Sequence, residues 1–299
     1  MFFSIYISSQ NTFCAGTDTF FLSQNPITYN STCLNPNSHI FHKKYKRAET
    51  YIPKNNSRDK VLNVNFNIFQ DVNGSTNFPD SDQNSNIIIN NVLSWINMFY
   101  QINSKPTDTV YSVLINNLQK KYIKFSFSVY KYNQGLLFNC NDLWNGNVTN
   151  FIKLTDSTRL NQLNICTSFG SGPGDAGGCA NIIPKPTSPV YFKSNYNYAA
   201  LTYSVYTNNW VGSQNIAHEI GHLLGLNHTY DNFCNQNDYD YLYDIFGYPP
   251  YCPHLGQFSD PSLNNYDKIT NNLMGGSIDN SYASPKQIGM MHRSLYLLT

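Results

Sequence analysis

His218-Glu219-Ile220-Gly221-His222-Leu223-Leu224-Gly225-Leu226-Asn227-His228, HEIGHLLGLNH in one-letter form, is the stretch around which this chain of 299 residues is organised. Two histidines four apart on a helix stand one turn above each other, so both imidazoles leave the same face. That spacing suits a zinc ion, which takes imidazole nitrogens at about 2.0–2.1 Å. Glu219 lies between the histidines, beside any water such an ion would hold. Gly225 is a natural helix stop, because glycine enters the left-handed conformation at little cost. The turn it allows would bring His228 back as a third ligand. Three protein ligands leave a fourth position for water, which is the catalytic form of a zinc site.

An isolated HExxH is a modest signal, and the extended HExxHxxGxxH is a specific one. The chain has only two glutamates, Glu49 and Glu219. A zinc site that takes its third ligand from a glutamate on a later helix is therefore closed, and His228 is the natural candidate. His39, His42 and His254 have no supporting spacing, and His292 is expected on the surface.

The formal charge is +1 and charged residues make up 12% of the chain, so no polyanionic partner and no nucleic acid is implied. No run of about 20 apolar residues exists, so no membrane span is expected. Met1 to Ile7 is apolar but short and lacks a positive flank; it reads as the end of a signal peptide or as a strand. None of the seven cysteines lies in a CxxC pair, which argues against a cysteine-zinc knuckle and for disulfides in a secreted or periplasmic protein. Cys166 with Cys179, and Cys234 with Cys252, are near enough in sequence to be expected pairs. An odd count leaves at least one thiol over.

Residues 1–57 read as a separate N-terminal segment, rich in Asn, Ser and Thr and weakly periodic. The basic run Lys43-Lys44-Tyr45-Lys46-Arg47 reads as a solvated loop. The sharper alternative is a pro-segment cut near Arg47, with a Cys14 or Cys33 thiolate holding the zinc beforehand; a Cys14–Cys33 disulfide is the preferred reading. From Leu62 to Ile68 apolar residues alternate with Asn63, Asn65 and Asn67, a half-buried strand. Asp71 to Gly74 is a turn. Asn86 to Gln101 carries apolar residues at helical spacing. Strands are predicted at Ile123–Val129, Leu163–Phe169 and Ala199–Tyr206. The glycine-rich run Gly170 to Gly178 lacks the Lys-Ser/Thr ending of a phosphate cradle and reads as a bare surface loop.

The metal helix is predicted to begin at Ser213 or Gln214. After His228 the chain is loop-rich. Asp238, Asp240 and Asp244 could offer oxygens to a calcium ion, although turn and cap chemistry is the preferred reading. Met274 alone reads as core filler. Ser284-Pro285 caps a last amphipathic helix through Ile288, Met291, Leu295 and Leu298. Strand, helix, strands, helix is a mixed α/β arrangement on a twisted sheet.

HEIGHLLGLNH followed by Asn272-Leu273-Met274-Gly275 resembles the metzincin metalloproteases. His228-Thr229-Tyr230, the Cys234 to Cys252 segment with Tyr243-Asp244 and Pro249-Pro250, and Ser284 to Gln287 with Met290-Met291 resemble the pappalysin and cytophagalysin branch. The resemblance implies an α/β (α+β) catalytic domain over residues 58–299. Its upper subdomain, 58–226, would hold a twisted mixed sheet with two long helices above the cleft. Its lower subdomain, 227–299, would be loop-rich and end in a helix. It also implies a zinc-dependent endopeptidase acting on protein or peptide substrates through a metal-activated water, with Glu219 as general base. Met274 would be the floor beneath the zinc. Gly276 stands where many metzincins carry a tyrosine, and the usual cysteine after the methionine is absent. A catalytically impaired binding module of the same fold is the alternative.

Overall fold

Parallel strands need helical crossovers, and helices on both sides bury both faces of the sheet they connect. The computed structural model describes residues 51–105, 120–169, 177–180, 199–203, 205–226, 271–274 and 281–298. Its elements run β1 (Lys60–Gln70), α1 (Ser85–Gln101), β2 (Ile123–Asn133), α2 (Cys140–Trp144), α3 (Asn147–Thr155), a 3-10 turn (Ser157–Asn161), β3 (Leu163–Ser168), β4 (Gly178–Ala180), β5 (Ala199–Tyr203), α4 (Asn209–Leu223) and α5 (Pro285–Leu298). The five strands lie in the order β2-β1-β3-β5-β4. β2, β1, β3 and β5 are mutually parallel, and β4 runs antiparallel to β5 at the edge. This is the mixed α/β sheet expected of the chain.

The period-two pattern sorts side chains between two cores. Val64, Phe66 and Ile68 of β1 face a cluster with Val92 and Ile96 of α1, Ile216 and Ile220 of α4, and Ile288 and Met291 of α5. Phe69, Tyr132, Cys166 and Leu201 face a second cluster with Leu143 of α2 and Val148 and Ile152 of α3. The strand predicted to be half-buried is therefore covered on both sides. Asn65 and Asn67, expected toward water, are buried. They are satisfied laterally: both Nδ2 groups donate to Asn164 Oδ1, at 3.1 and 3.4 Å, and Tyr132 donates to Asn67 Oδ1 at 3.3 Å. A buried amide costs little only when so paired.

Several expectations need correction. α4 starts at Asn209, a turn before Ser213, because Asn208 caps it by accepting from Val211 N. Gly178, assigned to the surface loop, opens strand β4. His292 is buried, and its Nε2 donates to the Lys121 carbonyl at 2.7 Å. Cys179 pairs with Cys140 at a Cα separation of 5.9 Å, and Cys166 is a free thiol. The register explains why. Cys166 and Cys179 both stand opposite Leu201, one on each side of β5. Two strand spacings separate them by about 9.6 Å, beyond the roughly 7 Å that a disulfide spans. Residues 1–50 of the N-terminal segment, with Cys14, Cys33 and Arg47, the residues Asp238, Asp240 and Asp244, the Cys234–Cys252 pair and His228 lie outside the described residues.

Burial pushes the Cys166 thiol up to about 12. The folded protein at about pH 8 should therefore leave Cys166 unalkylated by iodoacetamide, and urea should make it react. Peptide mapping checks this, and fast labelling of Cys166 in the folded state would contradict its placement in β3.

Candidate metal centre

α4 carries Ile216, Ala217, Ile220 and Leu223 toward the sheet, all fully buried. Tyr100 of α1 donates to the Ala217 carbonyl at 2.8 Å and ties the two long helices together beside His218. The helix ends as Gly225 suggests. Gly225 takes φ +88°, its N–H donates to the His222 carbonyl at 2.8 Å, and Leu226 N–H donates to the Gly221 carbonyl at 3.0 Å. This paired closure is a Schellman motif.

The closure also orients a ring. His222 Nδ1 lies 2.8 Å from the Leu226 carbonyl, which the turn has folded back over the helix end. His218 Nδ1 lies 2.9 Å from the Leu273 carbonyl, supplied by a segment 55 residues away. A carbonyl only accepts, so each Nδ1 carries the proton and each neutral ring keeps its lone pair on Nε2. Fixing one ring nitrogen in this way sets tautomer and direction for the other. The two ring centroids are 4.7 Å apart with planes at 90°.

Glu219 is 6% exposed. Its Oε2 is buried with no hydrogen-bond partner among the described residues. Burial pushes its carboxyl up to about 8. A cation on the adjacent imidazoles is the kind of neighbour that returns such a group to the carboxylate. β4 packs against this helix, with Gly178 beside the Glu219 side chain.

Met274 lies beneath α4. A Cβ on Gly221 would overlap its sulfur, so glycine is needed where helix backbone and thioether meet. The Met274 N–H donates to Asn272 Oδ1 at 2.9 Å. Asn272 and Gln287 join amide to amide, Asn272 Nδ2 to Gln287 Oε1 at 2.9 Å and Gln287 Nε2 to Asn272 Oδ1 at 3.1 Å.

The structure sets the His218 and His222 rings against each other, with Met274 beneath the same helix, and Glu219 on that helix against Gly178 of β4. Among the described residues no group of three or more His, Cys, Asp or Glu side chains converges, and His228 is not among them. Two facing rings with Nε2 lone pairs are a donor set that fits a divalent cation. Sequence reasoning missed Leu226 and Leu273, which act through main-chain oxygen and carry no side-chain signal. It also passed over Asn272, Gln287 and Tyr100, whose partners are far away in the chain.

Residues 86–229 match the family model described as metallo-peptidase family M12B, reprolysin-like. The match covers just under half of the chain, includes His218, Glu219, His222 and His228, and supports a metzincin-type metallopeptidase domain. No curated protein matches the chain. Among solved structures it is similar to a chain in a chaperone–substrate complex, at 13% identity and TM-score 0.43, over 80% of this chain and 36% of that one. It is also similar to metalloproteinase-II from Bacteroides fragilis, at 17% identity and TM-score 0.34, over 75% of this chain and 60% of that one. This chain spans less than two thirds of either.

Gly221→Ala should destabilise the fold by about 1–3 kcal/mol, because the added methyl must displace Met274. The cost should shrink in a Met274→Ala background. Urea denaturation measures both, and an equal cost in the two backgrounds would mean that the methyl does not meet this sulfur.

Proposed function

We propose that the chain is a zinc-dependent endopeptidase in which His218, His222 and His228 hold the metal and Glu219 is the general base. The observation that carries this reading is the pair of facing imidazoles whose Nδ1 atoms are each held by a carbonyl, on the same helix as the unpartnered buried Oε2 of Glu219. Zinc bound there would acidify its water and place positive charge opposite a developing oxyanion. The rest is done by the chain. Leu226 and Leu273 hold the rings. Glu219 takes the proton as water attacks the peptide carbonyl and delivers it to the leaving amine. Glu219 is the one buried carboxyl among the described residues, so no second one competes for this role there.

β4 has a paired strand on one side only among the described residues. An extended peptide adding to that edge would pass Glu219, since Gly178 lies against its side chain. His228-Thr229-Tyr230 and Ser284 to Gln287 support a place near the pappalysin and cytophagalysin branch, and the Cys140–Cys179 bridge supports an extracellular setting. Gly276 at the position of the common tyrosine favours, as second reading, a binding module with impaired catalysis.

Casein digestion with and without 1,10-phenanthroline separates the two readings. Glu219→Gln should retain zinc and lose about two to four orders of magnitude in turnover. His228→Ala should lose zinc, read by metal analysis. Unchanged turnover in Glu219→Gln would remove the general base, and full zinc occupancy in His228→Ala would remove the third ligand.

A further inference from the structure

Lys121 has no exposed surface. Its Nζ donates to three carbonyls: Phe99 at 2.7 Å, Ile102 at 2.6 Å and Ser281 at 2.7 Å. An ammonium has three N–H donors and no acceptor, so three carbonyls match it fully. Burial pushes the group down to about 7. The carbonyls oppose this, because they favour the form with three donors. Two of them stand at the C-terminal end of α1, where carbonyls lack partners within the helix and the helix dipole is negative. The third belongs to the segment leading into α5. One side chain therefore joins the end of the first long helix to a distant loop, and the His292 ring of α5 holds the main chain of the same residue.

Ser281 leads to the metal centre in short steps. Asn271 Nδ2 donates to Ser281 Oγ at 3.2 Å and to the Lys105 carbonyl at 2.7 Å. Tyr282 N–H donates to the Asn271 carbonyl at 2.8 Å, and Leu273 N–H to the Tyr282 carbonyl at 2.6 Å. The Leu273 carbonyl then meets His218 Nδ1. Asn103 reinforces the same segment with two bonds to the Ala283 main chain, at 2.9 and 2.8 Å.

We propose that Lys121 is a positioning residue for the metal centre: by gripping Ile102 and Ser281 together it sets the strand-like pairing of 271–273 with 281–282, and so the carbonyl that fixes the His218 ring. This rests on His218 being a metal ligand only for its effect on affinity; the effect on the ring itself does not depend on it. Methionine at 121 would fill the space of the stem but take the ammonium from the Phe99, Ile102 and Ser281 carbonyls, leaving the Ser281 segment to Ser104 N–H, Asn103 and Asn271.

The test compares Lys121→Met with Val92→Ala, which opens the core under α1 and touches none of these groups. Wild type, without metal, should show a hydrogen-bonded His218 Nδ1–H in nitrogen-15 NMR of the imidazoles. Lys121→Met should lose that signal and bind zinc about 10–100-fold more weakly in chelator competition, the usual scale for loss of an outer-shell partner. Val92→Ala should lower the melting temperature and change neither. A Lys121→Met protein that keeps the Nδ1–H signal and wild-type zinc affinity would overturn the proposal. Wild type that binds no zinc would overturn the metal assignment instead, while the NMR comparison still decides on Lys121. Should Lys121→Met not fold, Asn103→Ala is read in the same two ways: loss of the signal supports the ladder, and an unaltered signal and affinity sink it.

Discussion

A helix can bring two imidazoles to one face, but it cannot stop either ring from turning. Here two main-chain carbonyls do that, and the remainder of the site depends on them. Leu226 offers its oxygen because Gly225 reverses the chain at the helix end. Leu273 offers its oxygen because a segment remote in sequence is laid against α4. The first constraint is local and survives wherever the helix folds. The second is tertiary and needs the region around 271–283 in register. Two rings held by such different means meet at right angles within one turn.

The sheet makes the tertiary constraint possible. β1 lies between β2 and β3 and is covered on both faces, so α1 and α4 rest on a layer that has little freedom to shift. Its polar rows are not exposed to water; Asn65, Asn67 and Asn164 bond to one another instead. Glu219 is the contrasting case on the same molecule. Its buried oxygen has no such partner, and the fold keeps it that way beside the histidines. Unsatisfied buried polarity is costly, and it is found where chemistry needs it.

Much of this was legible in the chain. Leu62 to Ile68 and Ile123 to Val129 announce strands by alternation, and Asn86 to Gln101 announces a helix by spacing; each forms, with ends moved by a few residues. His218, Glu219 and His222 share a helix because their spacing demands it. What was hidden follows from physics that acts across the chain. β4 is three residues, Gly-Cys-Ala, too short to show a period. α2 is short and opens on an Asn139–Asp142 capping box, a weaker signature than the usual one with Ser or Thr and Glu. Asn65 looks exposed until the 3-10 turn and Asn164 are set beside it. Lys121 reads as one more basic residue until three carbonyls from two regions are placed around it. His292 was misjudged for the same reason, since its partner is the main chain of that lysine.

The Cys140–Cys179 bridge has a consequence for the rim of the cleft. Cys179 follows Gly178, the residue that borders Glu219, while Cys140 opens a helix on the opposite side of the sheet. The crosslink lies on the face covered by α2 and α3 and rivets β4 to that layer. A three-residue ribbon bonded along one flank among the described residues would otherwise be the first part of the sheet to fray. In reducing surroundings that rivet opens, and the wall beside the carboxylate is left to its few backbone bonds.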